Sequence, residues 1–218
     1  STTPKNNITR SAARSGIHAL GSTIWQADFA MRFTIWLLYI VEFADWNTQK
    51  TIGKGCGNNS GVQNMGYTDS MPYHTGTTQS NRDTYGLGTQ YRNIEGLWDN
   101  VLDWCDGCYY NSNGMNIIIN PNSFSDSSGG TSAGTPTHGW PSAFTVTNKG
   151  GFDMFIPSES NGGENIASCD YWNFYASNPC VCVGGYYYRL ASHGLFCVLC
   201  TGASNTSGSI GSRLQDLP

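Results

Sequence analysis

Charge is scarce in this chain. Only 12 % of its 218 residues are Asp, Glu, Lys or Arg, and 11 basic residues against 15 acidic ones leave a formal net charge of −4. A surface that neutralises nucleic-acid phosphates needs a basic stripe, so no nucleic-acid partner is expected. Long apolar runs are missing too. The longest, FTIWLLYIVEF from Phe33 to Phe43, already contains Glu42 and is about half the ~20 residues a bilayer span requires. It reads as a core helix, and no membrane insertion is expected. No basic start followed by an apolar stretch opens the chain, so a signal peptide is expected to be absent or removed.

A narrower absence lies near the C-terminus. From Asn173 to Leu214, 42 consecutive residues include no Lys, Glu, Gln, Met or Trp, although those five types fill 26 of the 218 positions. Independent sampling at that rate leaves such a gap about once in two hundred chains, which asks for a cause. Each of the five needs a purine in the third codon position, so none is reached from the Asn codons AAC and AAT by changing adenines alone. Tyr, Ser, His, Arg, Leu, Phe, Cys, Thr, Ala, Gly, Pro and Val all are. Adenine-directed mutagenesis leaves this signature. Burial of a Gly- and Ser-rich, strand-forming segment is the competing explanation, and composition alone does not separate the two.

What is present points to a folded, loop-rich protein. There are 27 glycines, yet aromatics reach 13 %, and rings supply the buried area that disordered chains lack. The length suits one sizeable domain over residues 1–218, with no repeat or linker to divide it. Asn6 or Asn7 offers an N-cap for a first helix that Gly16 would stop. A second helix is expected from Ser22 or Thr23. Trp25, Phe29, Phe33, Trp36, Leu37, Ile40 and Phe43 fall on one stripe of it, with Gln26, Asp28 and Arg32 elsewhere. Short strands are expected at 116–120, 144–146, 181–185 and 195–199, and the stretch from Pro121 to Lys149 shows no strong pattern. The class is α+β, helices first and short strands after.

Eight cysteines are present: Cys56, Cys105, Cys108, Cys169, Cys180, Cys182, Cys197 and Cys200. Their pairing is not deducible from sequence. The CDGC at 105–108 lacks the further ligands of a zinc site and the strand-to-helix setting of a redox motif, so buried thiols or a disulfide or two are favoured. Cys180 and Cys182, two apart in a strand, share a face. Glu95, Asp99, Asp103 and Asp106 read either as turn-fixing groups on backbone N–H donors, the favoured reading, or as an acid/base or calcium set. No catalytic grouping forms around His18, His74, His138 or His193, and the NGGENI at 161–166 is too isolated to cradle a phosphate.

Three pieces carry a resemblance: YRNIEGLWDNVLDWCDG at 91–107, the Gly-Gly at 184–185 closing an apolar strand, and NIASCDYW at 165–172 leading to IGSRL at 210–214. Together they resemble the C-type-lectin-type fold of the formylglycine-generating-enzyme superfamily. With LLYIVEFADWNTQKTIGKG at 37–55 the chain is also similar, over nearly its full length, to the tail-tip receptor-binding proteins of bacteriophages and prophages. Some of these are rewritten near the C-terminus by a diversity-generating retroelement. The resemblance implies a tail-tip or extracellular location, a bacterial cell-surface protein or glycan as partner, compatibility with a homotrimer on a tail fibre, no cofactor and no need for catalysis, and it does not by itself imply a calcium site. The competing class is a formylglycine-generating-type oxidase using Cys197 and Cys200, but the family's cysteine spacing and flanking residues are not reproduced here.

Under this resemblance residues 173–214 form the variable region. Val181, Val183, Gly184, Gly185, Tyr187, Gly194, Leu195, Phe196, Ile210, Gly211 and Arg213 match the scaffold. Tyr186, Tyr188, Arg189, Leu190, Ser192, His193, Cys197, Leu199 and Thr201 fall where relatives often carry Asn and are expected to point outward and bind ligand. Phe174, Tyr175, Ser177, Asn178 and Pro179 extend that surface. Tyr, Ser, Gly and Asn with a few Arg are also what antibody loops use, rigid rings giving contact area and small polar groups adapting their hydrogen bonds.

Overall fold

The computed structural model describes residues 2–57, 60–78, 80–86, 88–98, 100–149, 151–161, 170–190 and 193–217. It is a mixed α+β structure, mostly strands around a curled sheet. The chain runs α1 (Arg10–His18), β1 (Ile24–Gln26), α2 (Phe29–Phe43), α3 (Thr48–Thr51), β2 (Gly76–Thr77), β3 (Thr89–Tyr91) and β4 (Ile94–Glu95). It continues through β5 (Leu102–Asn111), β6 (Gly114–Ile117), a 3₁₀ turn (Pro121–Ser123), β7 (Thr131–Gly134), β8 (Pro141–Thr147) and β9 (Met154–Ser160). The remaining strands are β10 (Trp172–Asn173), β11 (Cys180–Val183), β12 (Val198–Thr201), β13 (Ile210–Ser212) and β14 (Leu214–Asp216).

The helices start later than the sequence suggests. Thr9, not Asn6 or Asn7, caps α1 by accepting from the Ala12 N–H, and Gly16 lies inside the helix rather than ending it. The second helix does not begin at Ser22 or Thr23, because that segment pairs as β1 with β14 and carries Trp25 with it. Asp28 then caps α2 through the Met31 N–H, and Ala44 closes it in the left-handed conformation. Phe29, Phe33, Trp36 and Tyr39 face the core at helical spacing, but so does Arg32, while Leu37 is exposed. Gln26 and Asp28 are buried as well. The 121–149 stretch, patternless in sequence, holds the 3₁₀ turn, β7 and β8, which pairs with β9.

The main sheet runs β10-β12-β11-β5-β6-β7, with β13 joining β5 in parallel. Its centre is β5, where the pairs Cys182↔Trp104 and Cys180↔Tyr109 leave Cys105, Asp106, Gly107 and Cys108 opposite the single residue Val181. The CDGC motif is therefore a bulge, and it bends the sheet. Its freed carbonyls find a partner in Arg10, wholly buried on α1, which donates to the Cys105 and Cys108 oxygens at 2.9 and 2.6 Å and pairs with Asp126 at 2.9 Å. Arg14 pairs with Asp106 at 2.5 Å beside it.

Alternation along β11 divides the interior. Val181 and Val183 join the large cluster with Trp36, Trp98 and Trp172 under α2. Cys180 and Cys182 share the other face, as their spacing requires, with Leu102, Trp104, Tyr186 and Ile210. Trp98 and Trp104 are both fully buried but lie in different clusters, Trp98 in the large one and Trp104, within β5, in the smaller.

Replacing Arg10 with Met removes one of the two guanidinium partners of Asp126 and leaves two buried carbonyls without their donor. It is expected to lower unfolding stability by about 3 kcal/mol or more, read from urea denaturation of the variant against the parent chain.

Candidate ligand-binding pocket

A cavity of about 300 Å³ opens on the smaller-cluster face of the sheet. Leu102, Cys182 and Ile210 contribute apolar lining, and Leu199 and Cys200 line it from β12. One wall carries Tyr186, Tyr188, Arg189 and His193; the polar remainder comes from Thr201, Asn205, Ser207 and Ser209, with Tyr171 and Asn173 from the β10 side.

Backbone anchoring positions the aromatic wall. Asp170, buried, accepts from Gly194 N–H at 2.5 Å and Phe196 N–H at 2.8 Å. Thr48 Oγ1 accepts the intervening Leu195 N–H at 3.1 Å, and Leu195 carbonyl accepts from Trp36 Nε1 and Arg32. A Cβ on Gly194 would stand 2.7 Å from Asp170 Oδ1, so glycine is required there. Gly184 makes its turn at φ +78°, and Tyr187 N–H reaches Asn100 carbonyl at 3.1 Å.

Upon this frame Arg189 Nε donates to Tyr186 Oη at 2.5 Å, and its guanidinium lies 5.5 Å from the Tyr186 ring centroid and 5.9 Å from that of Tyr188. The two phenol rings meet edge to face at 4.5 Å, and His193 meets Tyr186 in the same way at 5.3 Å. Burial pushes the Tyr186 phenol up to about 12 against the opposing influence of Arg189. Burial, assisted by the Arg189 charge, pushes the His193 imidazole down to about 3. Both groups are thus neutral at ordinary pH, and Arg189 is the charged member of the lining.

The expected site residues divide. Tyr188 (52 % exposed), Leu190, Arg189, Tyr175 and Ser177 are at the surface; Asn178 and Pro179 are half-buried, and Leu199 and Thr201 are half-buried within the cavity lining. Four expectations are corrected. Tyr186 (6 % exposed) and His193 (4 %) do not point out to solvent; they form an inner wall of the cavity. Cys197 is wholly buried in a turn closed by its N–H to Gly194 carbonyl and by Gly184 N–H to its own carbonyl. Phe174 follows Trp172 inward at strand period and packs on Tyr110. Ser192 lies outside the described residues. The expected scaffold positions Val181, Val183, Gly184, Gly185, Gly194, Leu195, Phe196, Ile210 and Gly211 are buried, with Tyr187 and Arg213 half-buried.

Sequence reasoning missed Asn173, Cys182, Asn205, Ser207, Ser209, Tyr171 and Leu102. Most sit within the compositional gap, which was the available signal; Tyr171 and Leu102 gave none.

Other candidates resolve differently. Glu95 accepts from Gly66 and Tyr67 N–H, a turn-fixing role, whereas Asp103 and Asp106 form ion pairs with Arg213 and Arg14; Asp99 is outside the described residues. Among the described residues no three His, Cys, Asp or Glu side chains are placed to hold a metal ion, and no helix is long and apolar enough to cross a membrane. Cys105, Cys108, Cys180, Cys182, Cys197 and Cys200 are buried free thiols, Cys56 is buried, and Cys169 is outside the described residues. Burial raises the pKa of Cys197 and Cys200, the reverse of what a nucleophilic thiolate needs. No protein-family model matches the chain, and no curated protein matches it.

Two outcomes are expected. In the unfolded chain His193 takes up a proton near its ordinary value of 6.5, whereas in the fold it does so only near 3. The stability it contributes is therefore full above about 6.5 and lost as pH falls toward 3. His193→Asn removes that component, so the variant's melting temperature declines less steeply over this window than the parent's. Leu190 sits in the left-handed region at φ +43°, a conformation Asn adopts far more readily. Leu190→Asn is expected to raise stability by about 1 kcal/mol in chemical denaturation, and Leu190→Ala to give no such gain.

Proposed function

We propose that this chain is a receptor-binding protein of a phage or prophage tail. It has a C-type-lectin-type scaffold that displays a diversified ligand-binding surface to a bacterial cell-surface protein or glycan. The observation that carries the reading is positional. Among the described residues 15 line the cavity, and 13 of them belong to the segment 173–214, Leu102 and Tyr171 being the two outside it. The stretch with the unusual composition and the stretch that builds the concave site are the same stretch.

Burial alone is a poor cause for the missing amino acids. Tyr175, Ser177, Tyr188, Arg189, Leu190, Ser204 and Thr206 are exposed, and Lys, Glu or Gln at such positions carries no desolvation cost. A codon-level cause acts on exposed and buried positions alike, which agrees with what is seen. Leu190 adds to this: a left-handed backbone position suited to Asn, occupied by a residue one adenine-limited step away from an Asn codon at each changed base. The scaffold role agrees with the backbone anchoring of the 193–196 turn, since a fold held through main-chain groups tolerates exchange of outward side chains. The oxidase alternative draws no support from Cys197 and Cys200, whose thiols are buried with their pKa values raised rather than lowered.

Tyr188 and Arg189 are exposed, so the double variant Tyr188→Ala, Arg189→Ala tests binding without emptying the core. Labelled protein is expected to lose at least tenfold in adsorption to susceptible bacterial cells, with a melting temperature close to that of the parent. Undiminished adsorption by the double variant would sink the assignment of this surface.

A further inference from the structure

The chemistry of the cavity narrows what it takes. Resting on the reading of this cavity as the ligand site, we propose that it binds a monosaccharide ring bearing a carboxylate, a uronic or sialic acid presented by a surface glycan.

Three features of the lining converge on that class. The first is sign of charge. Among the described lining residues Arg189 is the cation, and none of them is Asp or Glu. Tyr186 and His193 beside it are neutral. A guanidinium presents donors in a planar fork that matches the two oxygens of a carboxylate, and its placement over two phenol rings fixes its plane in advance.

The second is the hydroxyl and amide wall. Asn205 donates to Thr201 Oγ1 at 2.7 Å and accepts from Ser207 N–H at 3.0 Å, and the Ser207 and Ser209 hydroxyls meet at 2.8 Å. These mutual bonds hold the groups in place, and each hydroxyl can both donate and accept toward a ligand. Asn173, across the cavity, adds an amide side chain to this wall. A simple carboxylate or a peptide C-terminus leaves this wall unmatched, whereas the adjacent hydroxyls of a sugar ring match it.

The third is the apolar remainder. Leu102, Ile210 and the exposed ring of Tyr188 offer hydrocarbon and aromatic surface. A pyranose has a C–H face that packs on such surface while its edge remains polar. The volume of about 300 Å³ lies at the small end of ligand pockets, in scale with one sugar residue and part of the next.

The test uses the full chain and free sugars, followed by ligand-observed saturation-transfer NMR and titration. The probes are glucuronate, galacturonate and N-acetylneuraminate, with glucose, galactose and acetate as controls. At least one acid is expected to bind at least tenfold more tightly than the neutral sugars and acetate. Arg189→Gln is expected to abolish that preference while leaving the weak binding of the neutral sugars as it was, and Asn205→Ala to weaken acid and neutral sugar together. Equal binding of glucose and glucuronate overturns the charge argument, and acetate binding as tightly as the acids overturns the sugar argument. If none of the three acids binds while the Tyr188, Arg189 double variant has lost cell adsorption, the site recognises a protein or another surface group and this inference alone falls. If adsorption is also intact, both readings fall.

Discussion

One carboxylate holds the inner wall of the pocket. Asp170 is buried, and its two oxygens take the N–H groups of Gly194 and Phe196, while Thr48 takes the one between them. Three successive main-chain donors are thus satisfied by side chains from outside the turn, in an interior where an unmet donor costs about 1–3 kcal/mol. The carbonyl of Leu195 is met in turn by Trp36 and Arg32 of α2. Because this turn is held by its backbone, its shape makes few demands on the side chains it carries toward the cavity, apart from the glycine at 194.

The second constraint is the bulge in β5. Four residues opposite one on β11 bend the central strand, and the carbonyls released there are drawn together by Arg10. That buried guanidinium ties α1 to the middle of the sheet, and Arg14 with Asp106 and Asp126 completes the set. The pairing of β13 with β5 and of β1 with β14 then draws both ends of the chain against the same strand system. The pocket is the concavity left on the face that Cys182, Leu102 and Ile210 share, bounded by Tyr186, Tyr188, Arg189 and His193 and by the 201–209 segment.

Much of this was readable in advance and some of it was not. Helix α2 announced itself by the spacing of Phe29, Phe33 and Trp36, and the β11 face by the alternation of Val181, Cys182 and Val183. The start of α2 was misread because Trp25 continues the apolar spacing, yet Trp25 belongs to a strand whose partner is nearly 200 residues away, a pairing no local pattern encodes. Arg32 was left off the apolar stripe, although it is buried and its Nη2 donates to the Leu97 and Leu195 carbonyls in the interior. Tyr186 and His193 were placed outside because they fall where the proteins the chain resembles often carry Asn. A turn does not alternate as a strand does, and two of its residues lie against the cavity wall rather than above it.

The sequence by itself determined that residues 173–214 are compositionally unlike the rest, that Phe29, Phe33 and Trp36 share one stripe of a helix, and that Cys180 and Cys182 share one face of a strand. These follow from residue type and spacing along the chain. Only the tertiary structure decided that the CDGC motif is a bulge, that Arg10 and Asp170 are interior anchors, and that Asn173, Asn205 and Ser207 stand in one cavity with Tyr188 and Arg189. Each of those depends on main-chain donors and acceptors meeting side chains from distant segments, and such meetings are set by the path of the folded chain rather than by any neighbourhood within it.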